Sequence, residues 1–193
     1  LFMVAVSFAL GFTFTYLFGY DDSMLDTPVE AEGPSSQETQ EEEPVVATTE
    51  RADEKLRSPI VGEVVALNEV NDPVFSSGVM GQGIAVKPSK GVVYAPADAE
   101  IAIAFPTGHA YGLKTDNGAE ILIHVGIDTV SMNGEGFEAK VSQGDRVKAG
   151  DVIGTFNSDT TMVIITNTMD YAEVTLIATG SVTNKTRVLE LHV

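Results

Sequence analysis

PTGHAYGLKTDNGAEILIHVGIDTV, residues 106–130, carries two of the chain's three histidines with a turn signal between them. At its centre Asp116-Asn117-Gly118 suits a tight turn, because Gly accepts positive φ and Asp and Asn bond their own backbone. EILIHV on one side has the length and β-branched content of a strand, and YGLK on the other has room for its partner. Side chains alternate along a strand, so Ile121, Ile123 and Val125 take one face while Glu120, Leu122 and His124 take the other. Gly126 then gives the backbone room to turn. The stretch predicts a hairpin that brings His109, in a short turn after EIAIAF, back toward His124 or leaves both at one end of a sheet.

Spacing alone leaves three readings of this pair. A neutral imidazole is a nucleophile near neutral pH, so one histidine can accept a phosphoryl group while the other donates to its oxygens. The pair can instead bind zinc, with Asp128 or Glu120 as a third ligand. Or the two are ordinary residues, one half-buried in a sheet and one in a turn. A shared phosphoryl group requires side chains within ~8 Å, given hydrogen bonds of ~2.7–3.2 Å. His192, one residue from the end, reads as a tail residue.

Working outward, residues 56–193 consist of short apolar runs (GEVVAL, GIAVK, GVVYA, EIAIAF, DVIGTF, TMVIIT, VTLIAT, RVLELHV) punctuated by Gly and Pro. Fifteen of the 18 glycines fall here, and no long 3.6-residue apolar period appears, which predicts an all-β sandwich or barrel. SQGDRVKAGDVIGTF reads as two short strands paired around Ala149-Gly150-Asp151.

The front of the chain differs in kind. Residues 1–20, LFMVAVSFALGFTFTYLFGY, hold no charge and at ~1.5 Å per residue span roughly 30 Å, the thickness of a bilayer core. With no basic n-region and no initiator methionine, the run predicts the end of a transmembrane helix rather than a signal peptide. Residues 21–55 predict a disordered acidic linker: positions 21–50 hold ten acidic side chains and no Lys or Arg. The net charge of −17 argues against nucleic acid, whose backbone demands a basic footprint, and favours a basic protein partner. The absence of cysteine excludes disulfides, a cysteine nucleophile and thiolate metal sites.

The globular part resembles the glucose-type enzyme IIA domain of the bacterial phosphoenolpyruvate-dependent sugar phosphotransferase system. The resemblance runs from about Ser58 to Val182 through SPIVGEVVALNEVNDPVFSSGVMGQGIAVKP, YAPADAEI, the 106–130 stretch, GEGF, GDRVKAGD, ITN and GSV. Residues 1–22 look like the last helix of the sugar-conducting IIC domain, an order similar to fused permeases of the β-glucoside, sucrose and trehalose type, with the IIB domain upstream.

The resemblance implies an antiparallel β-sandwich of the duplicated-hybrid-motif kind. It makes His124 the phosphorylated residue, taking phosphate from the carrier HPr and giving it to the IIB cysteine. His109 then supports the phosphoryl group and Thr107 orients His109. Val74, Phe75, Met80 and Phe105 form an apolar docking rim, with Asp72 and Asp128 as acidic residues at its edge. The histidines are expected to be exposed in a shallow apolar depression.

No cofactor is implied, and zinc enters only as an ion bridged by His109 and His124. The domain would lie on the cytoplasmic side of a bacterial membrane, tethered through IIC in a permease that commonly dimerises. Relatives also use this face as a regulatory binding module. A zinc peptidase would need a third ligand and a base, and a biotinyl- or lipoyl-type carrier would need a Met-Lys pair, which is absent. One departure stands out: the family usually has a longer connection, often with a short helix, where Phe156 here leads through Asn157, Ser158, Asp159 and Thr160 into Thr161.

Overall fold

A computed structural model describes residues 51–127, 129, 134–158 and 160–193. The chain divides into two compact units, 1–47 and 48–193. The expected transmembrane segment and most of the linker lie outside the described residues. Among the described residues no helix is long and apolar enough to cross a membrane.

The second unit is built almost entirely from strands: β1 (Glu54–Arg57), β2 (Gly62–Ala66), β3 (Gln82–Pro88), β4 (Val92–Tyr94), β5 (Ala99–Ala104), β6 (Ala110–Thr115) and β7 (Glu120–Val125). They continue with β8 (Phe137–Ala139), β9 (Arg146–Val147), β10 (Val152–Phe156), β11 (Thr161–Ile165), β12 (Glu173–Leu176), β13 (Gly180–Val182) and β14 (Arg187–His192). One short helix, α1 (Pro73–Ser76), precedes β3. An eight-stranded sheet in the order β13-β2-β3-β11-β7-β6-β5-β9 is joined by two three-stranded sheets, β1-β14-β12 and β4-β10-β8, and every pairing is antiparallel. The all-β antiparallel expectation holds.

The alternation read from EILIHV sets the layers. Ile121, Ile123 and Val125 enter the main core with Ile84 and Val86 of β3, Val163 and Ile165 of β11, and Tyr111 and Leu113 of β6. The smaller sheets close that face with Leu56, Val93, Ile153, Val188, Leu189 and Leu191. Leu122 and His124 point the other way with Met162 and Ile164, and these too are buried. That second face is where the site forms.

The 114–120 segment makes the expected hairpin turn, with the Thr115 N–H donating to the Ala119 carbonyl and the Gly118 N–H to the Thr115 carbonyl. The pairing of β6 with β7 sets Ala110 opposite His124. At the turn end the Arg51 stem lies over Gly118 and its guanidinium bonds Asp170 at 2.7 Å. The chain thus enters the domain at the hairpin's far end, roughly 17 Å from the histidines at ~3.4 Å per residue.

The predicted β9–β10 hairpin does not form. The turn exists, with Asp151 N–H donating to the Lys148 carbonyl, but β9 pairs with β5 while β10 pairs with β4 and β8. Two backbone bonds tie the turn sideways to Ala95, from Gly150 N–H to its carbonyl and from its N–H to the Asp151 carbonyl. The chain uses this turn to cross between sheets, because lateral bonds to Ala95 occupy groups that a hairpin ladder would need.

Candidate functional site

The hairpin register brings the two histidines together. Ala110 stands opposite His124, so His109 falls one residue beyond it, and the Val125 N–H donates to the His109 carbonyl at 2.8 Å. The rings meet edge to face, centroids 5.4 Å apart and planes at 72°. This lies inside the ~8 Å limit for a shared phosphoryl group.

Each ring is held through Nδ1. His124 Nδ1 lies 3.0 Å from the Gly126 carbonyl, which can only accept, so Nδ1 carries the proton and Nε2 keeps its lone pair. His109 Nδ1 lies 2.5 Å from Thr107 Oγ1. A hydroxyl that donates here leaves the His109 proton on Nε2, and that nitrogen is buried with no hydrogen-bond partner among the described residues. An unpartnered buried donor costs of order 1–3 kcal/mol, which an anion arriving beside it would offset.

The Gly126 carbonyl reaches His124 because φ at Gly126 is +83°, a region that L side chains rarely adopt. A Cβ there would also collide with Thr129 Cγ2 and Ser158 Oγ. Thr129 Oγ1 donates to the Val125 carbonyl at 2.7 Å, and the Gly126 N–H donates to the Thr160 carbonyl at 2.6 Å.

Apolar groups enclose the pair. Phe75 on α1 lies 5.0 Å from the His124 ring and Phe105 lies 5.2 Å from His109, both tilted at 48°. Val74 and Ile127 are partly exposed beside them in sequence, at 37% and 36%. The histidines themselves are only 3% and 4% exposed, which corrects the expectation of open rings. Two flanking phenyl groups and Met162, the cross-strand partner of His124, account for their burial. Burial pulls the His124 pKa down to about 4, helped by the neighbouring His109 and opposed by the Gly126 hydrogen bond. His109 is also lowered by burial. Both rings are neutral at pH 7.

Other expected residues fall into place unevenly. Asp72 caps α1, its carboxylate accepting from the Val74 N–H at 2.8 Å. Met80 is half-buried and stands next to Gly81, which backs onto Ile165, three residues along β11 from Met162. Its backbone is therefore set off from the rings. Asp128 lies outside the described residues. Glu120 is at the opposite end of β7, facing Lys114, which removes it as a third zinc ligand. Among the described residues no three His, Asp or Glu side chains are grouped to hold a metal ion.

Sequence reasoning did not single out Ile127, Thr129, Met162 or Ser158. Ile127 and Thr129 were in the quoted stretch, and strand alternation from TMVIIT would have placed Met162 beside His124 once β7–β11 pairing was known.

The family model for "phosphoenolpyruvate-dependent sugar phosphotransferase system, EIIA 1" matches residues 54–178. A β-glucoside-specific EIIBCA component of the same type of system from Bacillus subtilis is 38% identical, covering 97% of this chain and 30% of the relative. One from Dickeya chrysanthemi is 47% identical, covering 67% of this chain and 22% of the relative. The chain thus spans less than a third of the length of these permease components. A glucose-specific EIIA component from Bacillus cereus is 49% identical, covering 63% of this chain and 78% of the relative. The solved structure of glucose permease IIA from Mycoplasma capricolum superposes with a TM-score of 0.68 at 34% identity, covering 72% of this chain and 96% of that one.

Proposed function

The chain belongs to the EIIA 1 family of the phosphoenolpyruvate-dependent sugar phosphotransferase system, and from that membership we propose that it relays a phosphoryl group through His124 during sugar uptake. The observation that carries the reading is the pair itself: His124 with its proton fixed on Nδ1, and beside it a second imidazole with an unpartnered Nε2.

Nε2 of His124 attacks the phosphorus of a donor phosphohistidine on HPr. The new P–N bond forms as the donor's P–N bond breaks, and the electron pair of the broken bond returns to the donor ring. The product ring bears positive charge, so its Nδ1–H to Gly126 becomes a charge-assisted hydrogen bond, stronger than before transfer. His109, held by Thr107, donates from Nε2 to a phosphoryl oxygen. Handing on to the cysteine of a IIB domain breaks the P–N bond and forms P–S. Little covalent chemistry falls to the protein beyond positioning and electrostatics.

The apolar rim of Val74, Phe75, Phe105 and Ile127 is the docking surface in this reading, and it must yield for a partner's ring to reach His124. Asp72 places a carboxylate at its edge, suited to a basic partner. The likeness to EIIBCA components supports a domain joined to IIB and IIC partners in one membrane permease; in this reading residues 1–20 are the IIC end and 21–55 the tether. Tethering would raise the local concentration of His124 at its own IIB domain.

Incubation with phosphoenolpyruvate, enzyme I and HPr tests the relay. Acid-labile label should appear on the chain, vanish in His124→Ala, and persist in His109→Ala without onward transfer to IIB. Label retained in His124→Ala overturns the assignment.

A further inference from the structure

The β10–β11 connection has a part in the site. This is the segment whose shortness sets the sequence apart, and it reaches the reactive hairpin at Gly126 from 32 positions further along the chain. Thr160 takes the Gly126 N–H at 2.6 Å. The half-buried Ser158 side chain fills the side of Gly126 where a Cβ would stand, with its own Cβ 3.3 Å from that point and Oγ closer still. Thr129 closes the same side with Cγ2 and ties down the preceding peptide through the Val125 carbonyl.

These contacts matter because Gly126 is the residue with the greatest freedom to turn. At φ +83° with no side chain, rotation of its following peptide would swing the carbonyl away from His124. The ring would then lose the acceptor that keeps its proton on Nδ1, and the Nε2 lone pair would no longer be assured.

We propose that Ser158 is a positioning residue for the relay, wedging the Gly126 peptide so that its carbonyl holds His124 in the Nδ1–H tautomer. Ser158 acts through Gly126, in the way that outer groups orient a metal-bound histidine. The inference rests on the reading of His124 as phosphoryl acceptor. Its consequence for the ring does not depend on that reading, so the two can be tested apart.

The experiment compares the 193-residue chain with Ser158→Ala, which removes Oγ without loosening the backbone, and Ser158→Thr, which keeps it. Long-range 1H–15N spectra of the imidazoles report the His124 tautomer, a pH titration reports its pKa, and labelling by phospho-HPr reports the rate. Wild type should show one Nδ1–H tautomer. Ser158→Ala should show mixed tautomers, a His124 titration moved further down because the Gly126 hydrogen bond that raises it is weakened, and labelling slowed about tenfold, as expected of a misplaced nucleophile. Ser158→Thr should restore all three.

A Ser158→Ala protein that melts like wild type yet keeps a single tautomer and an unchanged titration overturns the proposal. So does slowed labelling with an undisturbed ring. Mixed tautomers in Ser158→Ala alongside a wild type that never labels at His124 support the wedge and overturn the relay.

Discussion

His124 sits where a charged imidazole is unwelcome, and the fold registers this as acid sensitivity. Its folded pKa of about 4 lies below the ordinary 6.5. Between those values the unfolded chain binds a proton that the folded chain refuses, so stability rises with pH across that window. The native state should lose up to about 3 kcal/mol as pH falls from 7 to 4, at 1.36 kcal/mol per unit. Urea midpoints at pH 7.5 and 4.5 check this, and His124→Gln should flatten the difference. An NMR titration should find His124 neutral at pH 5. A ring that titrates near 6.5 would mean that water reaches it freely.

At the scale of elements, α1 has one turn and sits against His124 through Phe75, so its cap has consequences beyond its length. The Asp72 carboxylate satisfies the Val74 N–H, and in the proposed relay its charge would also meet a basic docking partner. Asn caps as well as Asp, whereas Ala loses about 1 kcal/mol. Asp72→Asn should therefore keep amide protection in residues 73–77 and lose affinity for HPr, most visibly at low salt. Asp72→Ala should lose both. Equal exchange in the two variants would show that the cap contributes nothing.

How far these elements could be read in advance depended on distance along the chain. The β6–β7 hairpin was legible because its turn chemistry and its alternation lie within 20 residues. The His109–His124 contact followed only once register was known, since a one-residue slip would have turned His124 to the other face. The β9–β10 pairing misled because the turn signal at Ala149-Gly150-Asp151 is local, while the bonds to Ala95 that redirect it are not. Ser158 against Gly126 left no local trace at all. Asp72 was read as a rim charge, and its capping bond to Val74 was hidden behind that role.

At the scale of the whole domain, the contact between sheets carries a polar blemish. Tyr111 of β6 is fully buried with its hydroxyl unpartnered, its pKa pushed up to about 12 by burial, and the hydroxyl lies against Gly154 of β10. A methyl at Gly154 would strike that oxygen. Gly154→Ala should cost about 2 kcal/mol through overpacking. Tyr111→Phe, which deletes a buried hydroxyl without a partner, should be neutral or stabilising by about 1 kcal/mol. The double variant should recover much of the Gly154→Ala loss, and a double-mutant cycle of urea midpoints measures the coupling. Additive effects would place the clash elsewhere.

The anchoring of Arg51 over Gly118 and against Asp170 has a mechanical meaning. A pull on the chain at residue 51 is delivered to β1, which passes it to β14 through their ladder and to Val193 through Asp53. β1, β14, Asp53 and Val193 supply no group to the histidine pair, whereas Gly118 turns the hairpin that carries both histidines. A load at residue 51 therefore falls on the edge of the domain and on the hairpin's turn, roughly 17 Å from the imidazoles at ~3.4 Å per residue.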